Sequence, residues 1–68
     1  MTVDKKELIL QFLREIGGWI PRDPWYVAML AQMITKKAMV FVSPWDVWET
    51  LRRSKRVRCE KGVWRLTR

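Results

Sequence analysis

Apolar positions recur at helical spacing three times along this chain and then switch to strict alternation. Leu8, Ile9, Phe12, Leu13 and Ile16 form a stripe, with Lys6, Glu7, Arg14 and Glu15 mostly on the other side, which predicts an amphipathic helix over about 4–16. Asp4 is placed to cap it, Glu7 three residues on completes a capping-box pattern, and Gly17-Gly18 supplies the stop. "WIP", 19–21, reads as a very short strand or an extended link. Asp23 as N-cap and Pro24 at the first helical position open a second helix over about 24–36, with Tyr26, Met29, Leu30, Met33 and Ile34 as its buried side. "AMVFV", 38–42, is rich in β-branched and aromatic residues and predicts a short buried strand before the "SP" stop. Ser43, Pro44 and Asp46 carry the start signals of a third helix over about 44–54. On its wheel Val47, Trp48 and Leu51 turn inward. Asp46, Glu49, Thr50 and Arg53 project outward, with Trp45 and Arg52 on the border.

"RVRCEKGVWRLTR" then alternates with a period of two. A Lys61-Gly62 turn would set Glu60 opposite Val63, Cys59 opposite Trp64, Arg58 opposite Arg65 and Val57 opposite Leu66. Val57, Cys59, Trp64 and Leu66 then share the inward face of a hairpin over about 56–67, and a slip of one residue would scatter them. Three capped helices followed by a hairpin predict a small α+β domain, with a third short strand left open.

Sixty-eight residues, 49% of them hydrophobic, bound the answer to one domain near the lower size limit for a core that stands alone. Of the five tryptophans, Trp19, Trp48 and Trp64 are expected in the core. Trp25 and Trp45 fit either the core or a contact surface. So short a chain with so many large side chains also leaves room for a homodimer.

The charge is unevenly placed. Six bases and six acids balance from Met1 to Leu51, while Arg52 to Arg68 holds eight bases against Glu60 alone. All the formal net charge of +7 therefore sits in the last quarter of the chain, which points to a polyanionic partner, nucleic acid before membrane. One cysteine and no histidine argue against an internal disulfide, a multi-cysteine metal site and the usual general base. No spacing resembles a metal cage or a phosphate loop, so the expectation is a non-enzymatic protein without cofactor or small-molecule substrate. No apolar run, 38–42 included, is nearly long enough to span a bilayer. The expected setting is intracellular and cytoplasmic.

The order helix, helix, short strand, helix, hairpin, together with "SPWDVWETLRRSKRVRCEKGVWRLT", resembles the winged helix-turn-helix family over nearly the whole chain, about 3–67. In that family the third helix commonly enters the DNA major groove and the wing touches an adjacent groove or the backbone. The resemblance implies helix contacts from Trp45, Asp46, Glu49, Thr50 and Arg53, and wing contacts from Arg58, Lys61 and Arg65. Two departures stand out. The segment 36–42 is longer and more apolar than a tight turn, as though the strand usual after the first helix sat there instead. The third helix also begins acidic, which makes the wing the better candidate. The expected function is binding of duplex DNA, ahead of RNA, by a small transcriptional or architectural regulator. The expected site is Arg52, Arg53, Lys55, Arg56, Arg58, Lys61 and Arg65, joined by Trp45 and Thr50. The competing reading is a protein-docking or dimerisation module of the same general build.

Overall fold

A computed structural model describes residues 4–67. Three helices and a three-stranded antiparallel sheet follow the order α1 (Lys5–Glu15), β1 (Trp19–Pro21), α2 (Pro24–Ala38), α3 (Pro44–Arg53), β2 (Val57–Glu60) and β3 (Val63–Leu66). β3 lies between β1 and β2.

Each helix starts where a side chain can satisfy its free N–H groups. Asp4 accepts from the Lys6 N–H, and Asp23 from the Trp25 N–H at 2.8 Å. Glu7 is acidic in the first turn of α1 but points away to Arg56, so the capping box expected there is not made. At α3 the box is complete: Ser43 Oγ accepts from the Asp46 N–H at 3.1 Å, and the Asp46 carboxylate accepts from the Ser43 N–H at 3.0 Å. α1 ends as Gly17 and Gly18 take positive φ and the Gly18 N–H donates to the Leu13 carbonyl at 2.9 Å, a conformation that side chains with a Cβ rarely adopt.

The hairpin register is the expected one: Val57 opposite Leu66, Arg58 opposite Arg65, Cys59 opposite Trp64 and Glu60 opposite Val63. Lys61 and Gly62 both hold positive φ, 51° and 74°, the mirror-image turn whose twist matches that of the strands. β1 adds to the far side of β3, with Ile20 opposite Trp64. Ile9 and Leu13 of α1, Ile20 of β1, Val27, Leu30, Ala31 and Ile34 of α2, Val47 and Leu51 of α3, Val42 and Trp64 form one core.

Five expectations fail. No strand forms over 38–42. α2 runs on to Ala38, Met39 turns left-handed at φ 57°, and only Val42 of the segment is buried. Its backbone is held by Thr35, whose hydroxyl accepts from the Val42 N–H at 2.9 Å. The third strand is instead Trp19–Pro21. Tyr26 and Met29 are exposed on α2, and Val27 and Ala31 take their places in the core. Trp19 is also exposed, because its partner in the sheet, Arg65, lies on the outer face. Cys59 shares the inward face with Trp64 but is exposed, because β2 is an edge strand. On α1 the buried residues are Ile9, Leu10 and Leu13, with Ile16 left exposed.

Candidate nucleic-acid interface

The cations of the last quarter divide into two sets. At the end of α3, the Arg52 guanidinium lies 2.8 Å from Glu49 and that of Arg53 3.4 Å from the same carboxylate, pairings that follow from i, i+3 and i, i+4 spacing on one helix face. Arg56 reaches across to α1 and donates through both terminal nitrogens to Glu7, at 2.8 and 3.5 Å. Arg56 is thus paired one to one with Glu7, while Arg52 and Arg53 share a single carboxylate that offsets one of their two charges. Lys55, Arg58, Lys61 and Arg65 are exposed and, among the described residues, form no ion pair. Arg68 lies outside the described residues.

The unpaired set is organised by the sheet. Arg58 and Arg65 are directly opposite each other, and Trp19 is opposite Arg65 on the other side. One row across the outer face therefore runs Trp19, Arg65, Arg58, since residues paired across a ladder project to the same side. Lys61 sits at the turn beyond. An indole beside two guanidinium groups provides an apolar stacking plane and two charged forks in one line.

The inner face is closed differently. Trp48 of α3 packs edge-to-face on Trp64, with centroids 4.7 Å apart and planes at 83°. The Arg22 guanidinium lies 5.7 and 5.8 Å from the two ring centroids and directs one nitrogen toward Cys59 Sγ at 4.0 Å. Arg22 thus covers the end of the core that β2 leaves open, so this cation serves the fold.

The remaining expected contacts separate as well. Trp45 is 67% exposed at the rim of a groove of about 560 Å³ between the start of α1 and α3, where a partner can reach it. Thr50 is only 8% exposed. Its expected outward position fails because α1 packs over that side of α3, which leaves it only a small surface lining that groove. Asp46, at the start of α3, is fixed by the Ser43 backbone and side chain, and Lys5 approaches it at 3.7 Å. The hydrogen bond from the Ser43 backbone N–H is the main cause that holds its carboxyl below the usual carboxylate range, against a smaller opposing effect of burial. The N-terminal end of α3 therefore carries a carboxylate at neutral pH.

The Glu7–Arg56 pair and the Arg22 stack were not legible in the sequence, because each joins residues far apart in the chain with no local pattern. Among the described residues no three metal-ligating side chains come together, and no helix is long and apolar enough to cross a membrane. Compared with family models, curated proteins and solved structures, the chain finds no match in any of the three.

Proposed function

We propose that this chain binds nucleic acid, duplex DNA first, through the outer face and tip of its hairpin, in the manner of a winged-helix wing. The observation that carries the reading is the facing pair Arg58 and Arg65, exposed and, among the described residues, with no carboxylate to neutralise either. Like charges directly opposite each other destabilise a sheet, and a phosphate backbone removes that repulsion while releasing its own counterions. Three helices and a C-terminal hairpin are common to this chain and to the resemblance drawn from the sequence, although the short strand follows α1 rather than α2. Relative to that resemblance the weight moves from α3 to the hairpin. Arg52 and Arg53 are held by Glu49, and Asp46 and Glu49 would repel phosphates.

Four unpaired cations, Lys55, Arg58, Lys61 and Arg65, imply a log–log salt slope of about −3 to −4 at one phosphate each. Replacing Arg58 and Arg65 together by Gln should weaken binding to every duplex sequence and flatten the slope by about 1.8. The fold should be unchanged, because both side chains point away from Trp64. Salt-titrated fluorescence anisotropy on duplex DNA, single strands and RNA measures this and ranks the three. Binding by the double variant as tight as the parent's at low salt would reduce the hairpin to a solvated face and favour protein docking.

A further inference from the structure

The charged hairpin does not account for α2. From Pro24 to Thr35 this helix carries no charged residue. Val27, Leu30, Ala31 and Ile34 meet the core, while Tyr26 and Met29 on another side are exposed and Met33 is half-buried. A helix apolar on both sides is normally buried on both. This chain covers only one.

The uncovered side is built as a groove with a ridge. Ile16, Trp19, Pro21, Tyr26 and Met29 line a cavity of about 310 Å³ at the β1 end of α2. Trp25 stands beside it, 62% exposed, its ring edge-to-face with Tyr26 at 5.0 Å. Met29 and Met33 continue the surface into a second shallow hollow that includes Phe41. Nor can another strand readily cover this edge. Pro21 has no N–H to donate, and its carbonyl already accepts from the Asp23 N–H at 2.8 Å.

We infer that this face is the contact between two copies of the chain, related by a two-fold axis that sets Trp25 of each copy in the groove of the other. Two features select a second copy as the occupant. An isologous contact requires a surface complementary to itself, and here ridge and groove lie side by side. Over Pro24–Thr35 this side of α2 is uncharged, and Lys36 enters only at the far hollow, so two copies meet along it with little of the repulsion that a net charge of +7 would otherwise impose. The area also fits. At about 200 Å² for a whole aromatic side chain, the uncovered parts of Trp19, Trp25, Tyr26 and Phe41 with Met29 come to roughly 500 Å². A standard interface takes about 800 Å² from each partner, and in homodimers roughly 65% of that is apolar. The two values agree. The flexible Met29 and Met33 side chains suit a surface that must repack on contact.

Sedimentation equilibrium of the full chain tests this, beside Trp25→Ala, Met29→Glu and Trp45→Ala. The parent should show a reversible monomer–dimer equilibrium that does not weaken between low and molar salt. Trp25→Ala and Met29→Glu should each raise the dissociation constant more than tenfold, the loss expected at a central aromatic anchor, with unchanged far-ultraviolet circular dichroism. Trp45→Ala removes an equally exposed indole outside this face and should dimerise like the parent. A parent that stays monomeric to millimolar concentration would overturn the inference, as would equal weakening by Trp45→Ala or a dimer that dissociates in high salt. None of these outcomes depends on nucleic-acid binding.

Discussion

Met39 carries the clearest local strain in the chain. It ends α2 at φ 57° and ψ 30°, a region where a Cβ crowds the following carbonyl, and its side chain is 87% exposed, with little packing to offset the crowding. Glycine at this position should stabilise the fold. The expected gain for Met39→Gly is about 1 kcal/mol, or roughly 4–8 °C in melting temperature for a domain of this size. Thermal melts of parent and variant decide the matter, and a lower melting point would mean that the Met39 side chain has a packing role. Cys59 illustrates a different point at the same scale. Alternation along a strand tells which side of the sheet a residue takes. Whether that side is covered depends on where the helices end.

At the scale of elements, α3 is set by its capping box, and the box titrates. The Asp46 carboxyl is held below its usual range mainly by the Ser43 backbone N–H. A depressed folded-state pKa contributes stability that is present above the pKa of the unfolded chain and is lost as pH falls through the folded value. The melting-temperature difference between the parent and Asp46→Ala should therefore be full at neutral pH and should close in acid, below the ordinary carboxylate range. A difference that persists there would assign the effect to something other than the charge. The cap signals placed all three helices in the sequence, and turn and alternation together placed the hairpin register. Other elements were not legible. Trp19–Pro21 is too short to show an alternation, while the β-branched 38–42 run imitates a strand although Val42 alone enters the core. The two-sided apolar surface of α2 gave helical periodicity no means of choosing which side faces inward. Of the candidate site, the basic hairpin was visible as composition. The division into paired and unpaired cations was not, since Glu7 and Arg56 meet only through the fold.

The whole molecule concentrates its charge and its exposed apolar surface in different regions. Its radius of gyration, 10.9 Å, is the value of about 11 Å expected for a compact chain of this length. The exposed aromatic surface is therefore surplus apolar material on a well-closed fold. Charge is concentrated at the hairpin, and the Glu7–Arg56 pair is a link by which the helical body reduces it. Both partners are about half exposed, so the pair contributes under about 1 kcal/mol to stability. Glu7→Gln should thus leave the melting temperature nearly unchanged while freeing Arg56. Under the proposed function, binding to duplex DNA should tighten and its salt slope should steepen by about 0.9, one more phosphate contact. An unchanged slope with tighter binding would mean that Arg56 acts at a distance without touching the backbone.

The perpendicular packing of Trp48 on Trp64 at 4.7 Å reaches beyond mechanics. Two indoles so close, held at a fixed angle by different elements, couple their electronic transitions and split them into an exciton pair with circular-dichroism lobes of opposite sign. That couplet exists only while α3 is docked on the hairpin, and it is independent of how much helix the chain contains. The junction between helical body and hairpin thus carries an intrinsic chromophore, readable without a label whenever a ligand, a partner or a substitution moves one against the other.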